Sequence, residues 1–197
     1  METSADYWLH LQAPANSTFG ELDGLLRAIW LECCDHLSAY EFPVKRMPRR
    51  QASPRDIAAM FQQLARSAQS SYLDDDESDD ALMGKPLGSM LKPGVVFSHQ
   101  YDFGSTTKLA LRVAGEYTAP ALPGGLKLLA RNEPPVIPCS VCPKPATQLC
   151  LQCVESGAGE FCDACAGQHD CGEEMLVPLI NSPRTGVCGY CGPSVEP

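Results

Sequence analysis

Apolar positions Leu22, Leu25, Leu26, Ile29 and Trp30 recur at the spacing of one helical face. Thr18 and Glu21 stand just ahead of them as a capping box, hydroxyl and carboxylate each able to satisfy an orphan amide. The pattern predicts a helix over residues 19–33. Before it, residues 7–12 alternate as a strand does, with Trp8 and His10 on one face and Tyr7, Leu9 and Leu11 on the other, and Pro14 ends the run. Tyr40, Glu41 and Phe42 suggest a second strand near 38–44. Ser53-Pro54 offers an N-cap and a first-turn proline, and Ile57, Met60, Phe61, Leu64 and Ala68 then line one face, predicting a second helix over 54–69.

Leu87 to Leu91 reads as a single helical turn and Lys92-Pro93-Gly94 as a reversal. The β-prone run Val95 to Tyr101 and the alternating run Thr107 to Val113 then form a hairpin with residues 102–105 at its tip. Asp102-Phe103-Gly104 lacks the glycine-rich loop, lysine and catalytic-loop motif that would give it a kinase meaning. Six acids in residues 74–80 repel one another without apolar anchors and read as a mobile loop. Prolines and the Gly124-Gly125 pair mark residues 118–138 as a linker, with Leu126 to Ala130 packing on the preceding domain. The expected organisation is an α+β domain over 1–117, a proline-rich linker over 118–138 and a cysteine-rich module over 139–197.

Composition changes this picture mainly through cysteine. Nine of eleven cysteines fall between Cys139 and Cys191. No long apolar run and no basic-then-apolar leader is present, so the expected location is cytoplasmic, without membrane insertion. In such a reducing compartment, paired cysteines two residues apart hold metal rather than form disulfides. Each gap of two residues lets a tight turn aim both sulfurs at one ion while backbone amides hydrogen-bond the thiolates.

The half-sites are Cys139/Cys142, Cys150/Cys153, Cys162/Cys165, His169/Cys171 and Cys188/Cys191. Two Zn2+ are expected, and two topologies compete. A cross-braced one joins Cys139, Cys142, Cys162 and Cys165 at one ion and Cys150, Cys153, His169 and Cys171 at the other. The alternative completes the second site with Cys188 and Cys191, alone or through one member of each late pair. Nearby ligands close smaller loops, which favours the first. Sites filled entirely by protein donors leave no position for a reacting water, so these ions are expected to be structural. Cys33 and Cys34 are adjacent, their side chains diverge, and buried packing is their expected role.

The formal net charge is −9, and two zinc ions held by seven thiolates would take it to about −12. An acidic surface repels phosphate backbones, so nucleic acid is disfavoured and a protein partner expected. The one concentrated basic patch, Lys45, Arg46, Arg49 and Arg50, reads as a solvated loop. No nucleophile, base and orienting group share a spacing. Asp102, His99 and His36 are the only polar candidates for catalysis, and a turn acid and two partly buried strand histidines are their expected roles, so the chain reads as non-enzymatic.

Trp8 to Phe42, Leu87 to Val113 and Glu173 to Gly192 together resemble the plasmid pRiA4b ORF-three-like family, often labelled insertion-element passenger or TnpR-like proteins. The most specific pieces are the strand-then-helix opening, Tyr101 to Gly104, Asn181 to Arg184, and Gly186 to Tyr190. The resemblance implies an α+β domain with a mixed sheet packed on two main helices, somewhat like a β-grasp. Family members carry a further strand before residues 7–12, so the sheet is expected to lose an edge or rearrange. The cysteine spacing is similar to B-box and MYND modules, with a longer gap before Cys162 and a His-x-Cys end. A rival reading that follows the family label is a DNA-associated accessory protein of a mobile element. A recombinase nucleophile ringed by arginines is not found in the sequence.

Overall fold

The computed structural model describes residues 6–43, 78–118 and 124–193, which fold as a mixture of short strands and few helices. Strand β1 (Leu9–Gln12) leads into helix α1 (Phe19–Leu26). Thr18 Oγ1 accepts from the Glu21 amide at 3.1 Å and Glu21 Oε2 from the Thr18 amide at 2.8 Å, so the predicted capping box is formed. The helix does not run regularly to residue 33. It widens into a π turn over Arg27–Leu31 and stops where Glu32 becomes extended, with the Glu32 amide bonded five residues back to Arg27. That extra residue in the last turn still leaves Ile29, Trp30 and Leu31 buried.

Strands β2 (Ser38–Glu41), β3 (Val96–Tyr101) and β4 (Thr107–Arg112) form an antiparallel meander, with α2 (Ser78–Met83) and α3 (Leu87–Met90) preceding β3. Phe19, Tyr40, Phe42 and Phe97 pack ring against ring between α1 and this sheet, with centroids 5.1–6.4 Å apart. His99 is fully buried beneath α1, its Nε2 2.6 Å from Asp23 Oδ1, which gives the core one internal polar pair.

Residues 127–131 form β5 (Lys127–Arg131), antiparallel to β1 with a bulge between His10 and Leu11. The apolar part of the expected linker is therefore a sheet partner, because β1 would otherwise leave its ladder groups unpaired. A third sheet, order β7-β6-β8, holds β6 (Gln148–Cys150) between β7 (Glu160–Phe161) and β8 (Leu176–Pro178), with α4 (Asp163–Ala166) after β7. Among the described residues the strands thus make three small antiparallel sheets rather than one mixed sheet.

Among the described residues, buried apolar side chains gather in two places. The larger cluster centres on Phe19, Trp30, Phe97 and Tyr101, and the smaller on Cys139, Cys150, Phe161 and Cys162. The end of the acidic run is helical from Ser78 instead of belonging to a loop. Residues 74–77, the basic patch from Lys45 to Arg50 and the expected helix 54–69 lie outside the described residues.

Candidate metal centre

The smaller cluster is built from turns, and each turn has a local cause. Residues 139–142 reverse directly after the bridge between Pro138 and Pro145, and the Val141 amide points at Cys139 Sγ, 3.5 Å away. Cys150 ends β6, and Cys153 opens a short 3-10 turn that closes on Gly157 in the left-handed region at φ +77°. Cys162 caps α4, so the one-turn rise brings Cys165 back beside it.

These turns bring the predicted half-sites together in an interleaved pattern. The donor atoms of Cys139, Cys142, Cys162 and Cys165 all lie within 4.8 Å of one another, and so do those of Cys150, Cys153, His169 and Cys171. Cys142 Sγ stands 3.6 Å from Cys162 Sγ and 3.8 Å from Cys165 Sγ. In the second group Cys153 Sγ is 3.4 Å from His169 Nε2 and 3.6 Å from Cys171 Sγ. A tetrahedral zinc ion, with sulfur at ~2.3 Å and nitrogen at ~2.0 Å, spaces its donors roughly 3.5–3.8 Å apart. Both groups fit that ion, and each offers four donors.

The electrostatics point the same way. Burial pushes the Cys139 thiol up, but amides aimed at its sulfur outweigh this and hold it down at about 6. Cys150 is held at about 7 against its burial by the amides of Cys153 and Gln152 and by His169. Their neighbours move oppositely: Cys165 is pushed up to about 12, first by its hydrogen bond with Cys162, and Cys153 to about 11, first by its bond with Cys171. Sulfurs this close cannot all ionise unless a cation sits among them. Phe161 lies 4.4 Å, centroid to centroid, from the His169 ring and shields that side of the second group.

Cys188 and Cys191 do not join either group. Cys188 lies 3.6 Å from His36 Nε2, and Cys33, His36 and Cys188 make a third cluster of donors within 4.8 Å. Cys191 is exposed and belongs to none of the three. The expected packing of the adjacent cysteines holds in part for Cys33, which is half-buried against the larger core, and is corrected for Cys34, which is exposed because the chain has already left the helix. Of the three polar candidates, His99 pairs with Asp23 in the core, whereas His36 and Asp102 approach to 3.7 Å at the third cluster. His36 sits in the loop ahead of β2 rather than in a strand.

Arg184 enters the sequence reading only within the family resemblance, without a role of its own. Its side chain is wholly buried, and one terminal nitrogen donates to Asp102 Oδ2 at 2.6 Å while the other donates to the Ser105 carbonyl and Thr107 Oγ1, each at 3.0 Å. The guanidinium also lies over the Tyr101 ring at 4.8 Å. Asp102 Oδ1 accepts from the Gly104 and Ser105 amides, which fixes the hairpin tip in the left-handed conformation at Asp102, φ +64°. These bonds bring the Asp102 carboxyl down to about 2, Arg184 contributing most. Next to Arg184, Ser182 Oγ donates to the Trp30 carbonyl at 2.8 Å, satisfying an acceptor that the end of the helix leaves open. Asn181 and Asn132 exchange hydrogen bonds at 2.7 and 2.8 Å. A signal was present: Asn181-Ser182-Pro183-Arg184 is a polar run that neither the metal spacing nor any periodicity uses.

No protein-family model, curated protein or solved structure matches the chain. Among the described residues no helix is long and apolar enough to cross a membrane. The cysteine clusters can hold metal ions, and their donor chemistry of thiolate and imidazole suits zinc.

Proposed function

We propose that this chain is a non-enzymatic zinc-binding interaction protein. Residues 1–117 are read as a pRiA4b ORF-three-like domain with a β-grasp-like packing of sheet on helices, residues 118–138 as its linker, and residues 139–197 as a cysteine-rich module holding two structural Zn2+. The observation that carries this is the pair of interleaved four-donor groups, Cys139/Cys142/Cys162/Cys165 and Cys150/Cys153/His169/Cys171. Four protein donors fill a tetrahedral ion and leave it no reacting position, so the metal there supplies folding free energy to a segment with a small core.

A folded module of this kind offers a surface, and the expected partner is a cytoplasmic protein. In support, Val141 at the first knuckle and Val136 just before it are 67% and 81% exposed, two apolar side chains that a partner would cover. The family assignment rests on the resemblance of the opening strand and helix, the hairpin tip and the Asn181–Arg184 segment.

The test is native mass spectrometry of the full chain purified from its own host, reading bound zinc and any retained protein in one spectrum. Zinc at both groups with a stoichiometric protein partner, lost in Val141→Glu while zinc is kept, is the expected result. A zinc-loaded chain that retains no protein, together with turnover of a substrate, would sink the reading.

A further inference from the structure

The third cluster joins two segments far apart in the chain. Cys33-Cys34-Asp35-His36 has the same two-residue gap as the Cys-x2-Cys knuckles, and its turn is fixed by its neighbours. Asp35 takes a left-handed φ of +56°, its amide donates to Glu32 Oε1 at 2.6 Å, and Arg27 clamps the Glu32 and Asp35 carboxylates. The Tyr101 hydroxyl, fully buried, accepts from the Cys33 and His36 amides at 3.4 and 3.2 Å and donates to Glu32 Oε1. The facing segment is a turn in which Gly186, Cys188 and Gly189 all have positive φ, a conformation that presents the Cys188 sulfur on a tight backbone reversal.

We propose that Cys33, His36 and Cys188 form a third divalent-metal site, suited to zinc, with three protein ligands and a fourth position open to a small exchangeable donor such as water, hydroxide or a carboxylate. Cys188 Sγ is 3.6 Å from His36 Nε2, and the three donors fit within 4.8 Å, spacings compatible with one tetrahedral ion. The Arg184 nitrogen that holds Asp102 has one N–H left, which Cys33 Sγ at 3.4 Å and Cys188 Sγ at 3.7 Å share, the kind of N–H to sulfur contact that orients thiolate ligands. Charge balances as well: two thiolates and the Asp102 carboxylate are offset by a divalent ion and one guanidinium.

The open position follows from what Asp102 is already doing. Its Oδ2 lies 3.8 Å from Cys188 Sγ and 3.7 Å from His36 Nε2, close enough to border the ion. Yet Asp102 is not among the donors that all lie within 4.8 Å of one another, and Arg184 and two amides hold its carboxylate in place, so it is a neighbour rather than a ligand. It is positioned to accept a hydrogen bond from a donor bound at the metal. His36 is about one-third exposed and Cys188 is exposed, so a small ligand can reach the site. Two thiolates and one imidazole with an open fourth position is a donor set of reactive rather than structural zinc. This goes beyond an interaction role and does not depend on it.

The experiment counts metal on the reduced full chain by native mass spectrometry after zinc loading and desalting. Three zinc ions are expected for the unaltered chain, and two for Cys188→Ser and for His36→Gln, each with an unchanged circular dichroism spectrum. Cys142→Ser, by contrast, should lose an ion from the closed groups and keep the third. Because Cys188 and His36 are at the surface, these variants retain the fold, and His36→Cys should restore the third ion. With cobalt in place of zinc, azide should alter the visible spectrum of the unaltered chain and leave that of Cys188→Ser unchanged. Two zinc ions in the unaltered chain, a third ion that survives both substitutions, or a cobalt spectrum indifferent to azide would overturn the proposal. Failure of the first two sites alone would show as a chain with one zinc ion, removed by Cys188→Ser, a different result from two.

Discussion

Replacing Arg184 by methionine should detach the C-terminal segment from the hairpin that it crosses. Arg184 is wholly buried and holds Asp102 at 2.6 Å, the Ser105 carbonyl and Thr107 hydroxyl at 3.0 Å each, and the face of Tyr101. Methionine keeps most of the apolar stem but leaves the Asp102 carboxylate, 7% exposed, without its cation. Removing one partner of such a pair costs about 3–5 kcal/mol, because the remaining charge cannot return to water. For a chain of this length that corresponds to roughly 6–20 °C in Tm. Urea unfolding with zinc in excess, followed through the fluorescence of buried Trp30, measures the loss without a contribution from metal release. The partner test is Asp102→Asn. It neutralises the stranded carboxylate, so the double variant should lose less than the sum of the two single variants, by about 1–3 kcal/mol. A loss below about 1 kcal/mol for Arg184→Met, or additivity within about 0.5 kcal/mol, would refute the reasoning.

Two further outcomes are expected. Burial pushes the Asp23 carboxyl up, but its bonds with His99 and Ser38 outweigh that and bring it below its ordinary 3.8; its contribution is therefore complete above pH 3.8 and lost as the pH falls through the lower folded value. Asp23→Asn should lower stability at neutral pH by about 1.5–3 kcal/mol and flatten the acid limb of a pH series of urea midpoints; an acid limb as steep as that of the unaltered chain would contradict it. Gly159→Ala would place a methyl 2.6 Å from the backbone of Val154, which cannot swing aside, so a cost of about 1–3 kcal/mol and weaker zinc retention against a chelator are expected, whereas Gly167→Ala, whose nearest neighbour is at 3.6 Å, serves as a neutral control.

Features decided by close neighbours along the chain are legible in the residues themselves. The capping box, the hairpin and the single turn at Leu87 depend on contacts within a few residues, and each is formed. Cys139/Cys142, Cys150/Cys153 and Cys162/Cys165 are of the same kind, since each two-residue gap is closed by a local turn, whereas Cys188 and Cys191 share the gap without acting as a pair. The π turn is not legible, because an apolar face reads alike whether one residue is added to the last turn or not. Nor is β5: Leu126 to Ala130 lies between prolines and glycines and becomes a strand only because β1 offers it a ladder. Cys33 and His36 have the right gap, but a lone half-site gives no sign of where its partner lies.

By itself the sequence determined the local chemistry: that the half-sites from Cys139 to Cys171 are metal-ligand knuckles, where α1 begins, and that thiolates and imidazole are the donors on offer. Tertiary structure alone decided which knuckles face one another. It interleaved the first four half-sites and carried Cys188 away from them to Cys33 and His36, some 150 residues earlier. It also set Arg184 against Asp102, a pair invisible in either segment alone. The physical reason is range. Turns and caps follow from backbone sterics over a few residues, whereas a buried ion pair or a metal site needs groups that only packing of distant elements can deliver to one place.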